Sequence, residues 1–349
     1  MSPSRPAPPV KAVVFAPYGP SLGADERAFF AGCNPLGFIL MGRNCVEPAQ
    51  VRRLVAALRE CVGRDDAPVM IDQEGGRVAR LGPPHWRAAP PAGRFGMLAE
   101  LDLGRASEAA WLNARLIAAE LIDLGITVDC APVLDVAAPG AHDVIGDRGY
   151  GADPDRVTRL GCAVCEGLIA GGVAPVLKHL PGHGRANADS HLSLPTVAAS
   201  RAELAAVDFA PFRVLNAMPW AMTAHILYAA LDARSPASTS PAVIAEAIRG
   251  DIGFAGVLVG DDLGMSALAG PMGTRASAVI AAGCDVALHC SGEPGEMAEI
   301  AAAVGTLSEA TQERLAQSAA LVPEPGDADL STMAARLDDL LLAAEGAGA

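Results

Sequence analysis

The stretch at residues 174–191 reads APVLKHLPGHGRANADSH and joins an apolar run to a polar loop that contains glycine and proline. The run APVLKHL (174–180) has the length and composition of a buried β-strand. Segments with helical spacing lie on both sides of the stretch, RVTRLGCAVCEGLIAGG before it and RAELAAVDFAPFRVLNAM after it. A strand between two helices is the unit of parallel α/β sheets, so the stretch predicts such a sheet.

Seven further runs of this kind bring the number of predicted strands to eight. The eight are VVFAPY (13–18), GFILMG (37–42), PVMID (68–72), ITVDCAPVL (126–134), APVLKHL (174–180), AMTAHIL (221–227), GVLVGDD (256–262) and DVALHCS (285–291). Helical segments separate most of them, which predicts an α/β fold of the single-domain (β/α)8 TIM-barrel type. The alternative, an open doubly wound sheet, usually carries a glycine-rich phosphate loop, and neither GxGxxG nor GxxxxGK(S/T) occurs in the sequence.

The 349 residues divide into three expected regions. We expect residues 1–10 to form a flexible N-terminal segment and residues 11–305 to form the barrel. Residues 306–349 are rich in alanine and leucine and are expected to form a C-terminal helical tail, packed on the barrel or trailing it. The chain is 51% hydrophobic, which is ample for one large core.

Composition limits the classes of partner and the compartment. A net charge of −14 argues against nucleic acid, whose phosphates require a basic surface. The N-terminus lacks a basic segment followed by a long apolar run, and no stretch of about twenty apolar residues occurs, so we expect neither a signal peptide nor a membrane span. Eight scattered cysteines are typical of reduced thiols, which predicts a cytoplasmic protein.

Unusual polar residues stand at the carboxyl ends of five predicted strands. These residues are Asp72, Asp135, Lys178, His179, His225, Asp261 and Asp262. In a (β/α)8 barrel the carboxyl ends of the strands converge on one face, where active sites are built. Because a buried charge is costly unless it is paired, we expect these residues to share one polar site.

The loop after the fifth predicted strand admits three interpretations. A metal site is disfavoured because a Pro-Gly pair separates His179 from His183, so the two cannot share a helical face, and HExxH is absent. A structural loop whose histidines hydrogen-bond the backbone is the second interpretation. The third is acid/base catalysis by Asp189 and His191, which face the same way if the segment is extended. The carboxylate would then orient the imidazole and stabilise its protonated form.

A proton donor of this kind needs a partner in the reaction. The strand-end residues Asp261 and Asp262 each offer a nucleophile. A carboxylate opposite a proton donor is the arrangement of retaining glycoside hydrolysis, with a histidine here in place of the usual second carboxylic acid. The residues therefore indicate a sugar-cleaving enzyme, with Asp262 as the weaker candidate because neighbours in an extended segment point in different directions.

Three motifs carry a family resemblance. IDQEGGRVARL (71–81), KHLPGHGRANADSHLSLP (178–195) and VGDDLGM (259–265) occur in this order. Together they resemble family 3 glycoside hydrolases of the β-N-acetylglucosaminidase (β-hexosaminidase, NagZ) type, over roughly residues 10–290. The resemblance implies a barrel that removes terminal N-acetylglucosamine with retention of configuration. It implies cell-wall recycling as the context, with N-acetylglucosamine β-1,4-linked to anhydro-N-acetylmuramic acid, with or without peptide, as the substrate.

The resemblance also assigns roles to residues. Asp261 is implied as the nucleophile that forms a covalent glycosyl-enzyme, and His191 as the acid/base with Asp189 as its partner. The implied sugar-binding residues are Asp72, Arg80, Arg148, Lys178 and His179. No metal or other cofactor is expected. The expected partner is a small sugar or muropeptide substrate, with no nucleic acid, no membrane and no obligate protein partner.

Two positions depart from the family pattern, and several residues are expected to have supporting roles. Gly260 stands where serine is common, and Asp147 stands where asparagine is common. We expect His183 and His225 to support the loop and pocket, and Glu74 to form a salt bridge. Alternatives are a phosphorolytic enzyme that uses phosphate in place of water, a β-glucosidase, a metal-dependent hydrolase and a non-catalytic sugar sensor.

Overall fold

A closed barrel of eight parallel strands forms the centre of the protein. The computed structural model describes residues 8–140 and 142–347. The strands are β1 (Lys11–Phe15), β2 (Pro35–Leu40), β3 (Val69–Ile71), β4 (Val128–Asp129), β5 (Ala174–Leu180), β6 (Trp220–Thr223), β7 (Val257–Asp262) and β8 (Val286–His289). Each strand pairs with its neighbours in sequence, and β8 pairs with β1 to close the barrel. The predicted α/β fold of the (β/α)8 TIM-barrel type is confirmed.

Helices surround the barrel and connect its strands. They are α1 (Ala24–Cys33), α2 (Pro48–Val62), α3 (Ala92–Leu101), α4 (Leu103–Asp123), α5 (Pro154–Ala170), α6 (Arg201–Glu203), α7 (Ala210–Val214), α8 (Met272–Ala282), α9 (Pro294–Ala303), α10 (Glu309–Ala320) and α11 (Leu330–Ala347). Wider helical turns of the π type occupy Leu204–Asp208 and Val243–Asp251. Short 3-10 turns lie at Gly42–Asn44, Gly146–Arg148 and Ala237–Thr239. Two small strand pairs lie outside the barrel, Gln73–Gly75 with Val78–Ala79 and Thr196–Val197 with Leu227–Tyr228.

The core has two layers because side chains alternate along each strand. In β1, Val14 points into the barrel, whereas Val13 and Phe15 pack against the surrounding helices. In β2, Ile39 belongs to the inner layer and Phe38 to the outer one. A strand that is buried on both faces needs apolar residues at nearly every position, which is why the strands read as continuous apolar runs.

The fourth predicted strand is shorter in regular pairing than its sequence indicates. The run at 126–134 is apolar throughout, but regular ladder pairing covers only Val128–Asp129. Pro132 has no N–H and cannot donate to the ladder. The chain nevertheless continues alongside β5, since the Lys178 N–H donates to the carbonyl of Pro132 and the Leu134 N–H donates to the carbonyl of Lys178.

The segment before β1 and the segment after α9 meet at the amino ends of the strands, where the Leu307 N–H donates to the carbonyl of Val10. Residues 1–7, which hold most of the expected flexible N-terminal segment, lie outside the described residues. Asp285, directly before β8, accepts hydrogen bonds from Thr311 and Arg314 of α10 and from Arg249. Helix α11 packs on α4, where Arg336 pairs with Glu108. Within the described residues, no helix is both long and apolar enough to cross a membrane.

Candidate active site

A polar pocket of about 240 Å³ opens at the carboxyl ends of the barrel strands. Seven residues that the sequence predicts for the site line it: Asp72, Arg80, Arg148, Lys178, His179, His191 and Asp261. The eighth, Asp189, hydrogen-bonds to His191. Drug-sized ligands occupy pockets of about 300–1,000 Å³, so this smaller pocket suits a ligand of about one sugar unit.

Five alternating charges form a continuous chain across the pocket floor. Arg80 pairs with Asp72 at 2.8 Å, and Lys178 lies 2.9 Å from Asp72 and 2.6 Å from Glu74. Glu74 in turn receives two hydrogen bonds of 2.9 Å from Arg148. The Glu74 pairing agrees with the expected salt bridge, and its two partners are the strand-end lysine and the arginine of the β4–α5 loop.

Mutual pairing keeps all five groups ionised. Burial alone would raise the pKa of Asp72 and Glu74, but Lys178 and the neighbouring arginines lower both below their ordinary values. Burial would likewise lower the pKa of Lys178, and the two carboxylates raise it instead. The pocket floor therefore presents fixed cations and anions, which can donate to and accept from the hydroxyl groups of a neutral sugar.

Asp135 fixes the histidines at the end of β5. Its Oδ1 accepts the backbone N–H groups of His179 at 3.1 Å and His183 at 2.7 Å, and its Oδ2 lies 2.7 Å from Nδ1 of His179. This carboxylate accepts the Nδ1 proton of His179, which leaves Nε2 as the ring nitrogen available to a ligand. Burial would raise the pKa of Asp135, but His179 outweighs burial and lowers it to about 2.

The sequence marks Asp135 as a strand-end residue but does not reveal its role. Asp135 accepts the backbone N–H groups of both His179 and His183, and this contact depends on the path of the folded chain, which sequence spacing does not reveal. Cys290, directly after β8, also lines the pocket, although none of the sequence motifs includes it. Its position directly after a barrel strand is the signal by which it could have been found.

The two adjacent aspartates at the end of β7 have different surroundings. Oδ1 of Asp262 accepts the backbone N–H groups of Gly264 and Cys290, both at 3.0 Å, so this carboxylate is engaged in holding the chain. Oδ1 of Asp261 accepts the N–H of Asp262 at 2.8 Å, and the side chain lines the pocket. Burial raises the pKa of Asp261, but nearby imidazoles, His225 foremost, outweigh this effect and lower it. Asp261 is therefore an ionised carboxylate at neutral pH.

His225 supports the aspartate pair from below. Its Nε2 donates to the backbone carbonyl of Asp262 at 3.0 Å, and its Nδ1 lies 2.7 Å from the hydroxyl of Ser238. The ring is fully buried, and burial lowers its pKa. Both ring nitrogens are thus occupied by protein groups, as the supporting role predicted for His225 requires.

The loop after β5 has a firmly held base at residues 181–186. The Tyr228 hydroxyl donates to the carbonyl of Gly182, and Arg185 pairs with the buried Asp208 at 2.7 Å. The carbonyl of Gly184 accepts the N–H of Ala138. A Cβ atom at Gly184 would come 1.8 Å from the carbonyl oxygen of Val136, so only glycine allows this close approach of two backbones.

The far part of the loop carries the histidine–aspartate pair at the pocket mouth. Oδ1 of Asp189 accepts both the backbone N–H of His191 at 2.9 Å and its Nδ1 at 2.8 Å. The two side chains meet across a turn at residues 190–192, not along the extended segment expected from the sequence, because the N–H groups of Leu192 and Ser193 donate to the carbonyl of Asp189. Nε2 of His191 is the nitrogen that can exchange a proton. The His191 side chain is 63% exposed, in contrast to the buried base of the loop.

Asp147 and Gly260, the two residues that depart from the family pattern, each have a local structural role. Asp147 pairs with Arg77 at 2.9 Å, and the same arginine donates to the carbonyls of residues 143–145, so the pair supports the segment that positions Arg148. Gly260 allows Val279 of α8 to pack against β7, since a Cβ atom at this position would lie 2.7 Å from the Val279 side chain.

The histidines of the loop have protein partners. The rings of His179 and His183 lie edge to face with centroids 5.4 Å apart, and both residues contact Asp135. In the parts of the chain that the structure describes, no three histidine, cysteine, aspartate or glutamate side chains are grouped as a metal ion would require. All eight cysteines are free thiols.

A charge-lined pocket at the carboxyl ends of a TIM barrel, lined by an ionised aspartate and by the histidine of a histidine–aspartate pair, is consistent with a glycoside hydrolase. Comparison with known proteins agrees. The family model described as "Glycosyl hydrolase family 3 N terminal domain" matches residues 25–323. The chain therefore belongs to glycosyl hydrolase family 3, and its relatives identify its activity as that of a β-N-acetylhexosaminidase.

Relatives of known name and structure are similar over most of the chain. A β-hexosaminidase from Methylococcus capsulatus is 39% identical over 279 residues, which cover 78% of this chain and 80% of that protein. One from Pseudomonas aeruginosa is 38% identical over 276 residues, with 78% and 80% covered. The structure of NagZ from Neisseria gonorrhoeae in complex with N-trifluoroacetyl-D-glucosamine superimposes with a TM-score of 0.86 at 31% identity, covering 97% of this chain and 100% of that one.

Proposed function

We propose that the protein is a retaining exo-β-N-acetylglucosaminidase that removes one terminal N-acetylglucosamine at a time. The observation that carries the proposal is the pairing of Asp189 with His191 at the mouth of a pocket that Asp261 lines. The pocket volume of about 240 Å³ leaves room for one sugar rather than a polymer. The N-acetylglucosamine derivative bound by the gonococcal relative supports the choice of sugar.

The reaction begins with attack of a carboxylate oxygen of Asp261 on the anomeric carbon. The bond from that carbon to the glycosidic oxygen breaks, and His191 gives its Nε2 proton to the departing oxygen. A water molecule then attacks the glycosyl-enzyme while His191 takes the proton of the water, which releases the sugar with its original configuration. The lowered pKa of Asp261 keeps the nucleophile ionised at neutral pH.

The charge network on the pocket floor would bind the sugar before the reaction. Asp72 can accept hydrogen bonds from hydroxyl groups, and Arg80, Arg148 and Lys178 can donate to sugar oxygens. Nε2 of His179 is the ring nitrogen that Asp135 does not engage, so it is available to the sugar. These groups are already ordered by one another, so little conformational entropy is lost when the sugar enters.

For the natural substrate we propose N-acetylglucosamine β-1,4-linked to anhydro-N-acetylmuramic acid, with or without peptide, in the recycling of cell-wall fragments. The similarity to NagZ supports this choice. We place the activity in the cytoplasm, where eight free cysteines remain reduced.

Hydrolysis of a nitrophenyl β-N-acetylglucosaminide by wild type, Asp261→Ala and His191→Ala tests the proposal. Both variants should lose most activity. The loss in His191→Ala should be smaller in kcat/KM when the leaving group is good, because such a group needs less protonation. Unchanged turnover in Asp261→Ala would exclude the assigned nucleophile, and equal cleavage of the β-glucoside would exclude the specificity.

Two controls separate the alternatives. Mass analysis of the products in phosphate buffer distinguishes the free sugar expected from hydrolysis from the sugar phosphate of a phosphorolytic enzyme. Full activity in the presence of EDTA is expected, and loss of activity that added metal restores would favour a metal-dependent hydrolase.

A further inference from the structure

Ser190 lies between the two members of the histidine–aspartate pair, and its buried side chain lines the same pocket. The Ser190 side chain is 3% exposed, whereas its neighbour His191 is 63% exposed. Residues 190–192 form a turn. Within this turn the Ser190 side chain is buried, while the side chain of the next residue, His191, is exposed at the pocket mouth.

Two hydrogen bonds hold Ser190 in this position. Its hydroxyl lies 3.2 Å from Nε2 of His183, which belongs to the firmly held base of the same loop. Its carbonyl accepts the N–H of Ala267 at 3.2 Å, and Ala267 lies in the loop that follows Asp261. Ser190 thus connects the tip of the loop, residues 188–194, to the base of the loop, residues 181–186. It also connects the tip to the segment after β7.

His183 is a rigid point of attachment. Its backbone N–H donates to Asp135 at 2.7 Å, and its ring lies against the ring of His179. Burial lowers the pKa of His183 to about 4, so the ring is neutral at neutral pH. Nδ1 of this ring has no hydrogen-bond partner among the described residues, which leaves the bond through Nε2 as the one that the ring makes.

The remainder of the tip is weakly attached. The N–H groups of Leu192 and Ser193 donate to the carbonyl of Asp189, within the tip itself. The Leu192 side chain is 77% exposed. Within the described part of the chain, the hydrogen bonds that join residues 188–194 to atoms outside that segment all involve Ser190. A segment with so few external hydrogen bonds belongs to the low-stability end of the local opening range.

We infer that the bonds of Ser190 to His183 and Ala267 form a latch that positions the Asp189–His191 pair over the pocket. The inference rests on the proposed function and deepens it, because it makes Ser190 a positioning residue for proton transfer. The hydroxyl of Ser190 touches no reacting atom in this scheme. Its loss should increase the share of molecules in which His191 is out of reach of the glycosidic oxygen.

The test compares Ser190→Ala with Ser190→Thr, which keeps the hydroxyl, and with Ser193→Ala as the matched control. Ser193 lies on the same tip and its side chain is exposed. Each variant is assayed for kcat/KM on two β-N-acetylglucosaminides, one with an activated dinitrophenyl leaving group and one with an alkyl leaving group. Only the second requires full protonation of the departing oxygen.

Ser190→Ala should lower kcat/KM on the alkyl glycoside by about threefold to tenfold, the size expected for one lost hydrogen bond, and by less than about twofold on the activated one. Ser190→Thr should recover most of this loss, and Ser193→Ala should match the wild type. Cleavage by proteinase K within residues 187–194 should be faster in Ser190→Ala than in the other proteins, because the tip is released.

Two results would overturn the latch. Equal losses on both substrates would show that Ser190 supports the pocket as a whole, and wild-type values on both would show that it supports nothing in catalysis. The His191→Ala variant in the same assay tests the proposed function separately from the latch. If His191→Ala shows no dependence on the leaving group, the acid/base assignment fails and the latch has no role, whatever Ser190→Ala does.

Discussion

Replacement of Lys178 by methionine tests the charge network at its centre. The substitution keeps most of the side-chain volume. It removes a hydrogen bond of 2.9 Å to Asp72, worth about 1.5–3 kcal/mol, and an ion pair of 2.6 Å with Glu74. Part of this loss is offset because the ammonium no longer has to be buried. We expect the free energy of unfolding to fall by about 3 kcal/mol, the lower end of what removal of one member of a buried pair usually costs.

Urea unfolding followed by tryptophan fluorescence measures this change. Lys11→Met is the matched control, because Lys11 is the other lysine of the chain. Its ammonium donates to the carbonyl of Val304 in a partly exposed place, so the control should lose no more than about 1 kcal/mol. A Lys178→Met protein within about 0.5 kcal/mol of the wild type would refute the reasoning.

The stability difference should also change with pH in one direction. Asp72 and Glu74 have lowered pKa values in the folded protein. They therefore contribute stability above their unfolded pKa values of about 4, and this contribution is lost as the pH falls through the folded values. Since Lys178 causes much of the lowering, the advantage of the wild type should be complete at pH 7 and should shrink below about pH 4. An advantage that is unchanged at pH 3 would contradict this account.

Three further substitutions probe other parts of the molecule. Gly184→Ala places a Cβ atom against the Val136 carbonyl. It should lower the free energy of unfolding in urea by about 1–3 kcal/mol and should also lower kcat/KM. Gly42→Ala is the control, because its added Cβ atom meets no atom within 4 Å, and it should change neither quantity. Asp135→Asn removes a carboxylate whose pKa is about 2 in the folded protein against an ordinary 3.8. The free energy of unfolding of the wild type should therefore exceed that of the variant by about 2 kcal/mol above pH 5, and this difference should disappear between about pH 4 and pH 2. Asp285→Ala leaves two arginines without their shared carboxylate and should lower the free energy of unfolding in urea by about 3–5 kcal/mol. Its KM should be unchanged, because Asp285 lies at the end of the barrel opposite the pocket. A raised KM would show that the two ends are not independent.

The barrel is predictable from the sequence because its strands are buried on both faces and read as continuous apolar runs. Each of the eight predicted runs overlaps one strand of the barrel. The run at 126–134 differs, since apolar character indicates burial but does not reveal that Pro132 interrupts regular pairing.

The place of the site is predictable for the same reason, because a strand end in such a barrel has a known location. The pairing within the site is not. Lys178 and Asp72 are separated by 106 residues, and Arg148 and Glu74 by 74, so which cation meets which anion depends on barrel geometry. The hydrogen bond from Ser190 to His183 likewise requires the path of an irregular loop, for which no periodicity exists.

The unequal attachment of the loop after β5 has a consequence for inhibitors. The pocket floor is held by β3, β5 and the buried base of the loop, whereas His191 sits on a tip that a few hydrogen bonds retain. A compound that fills only the floor should bind equally well whether the tip is in place or displaced. A compound that also reaches His191 must keep the tip in place and lose affinity accordingly. Selective inhibitors of such enzymes could therefore be sorted by whether their affinity changes when Ser190 is replaced.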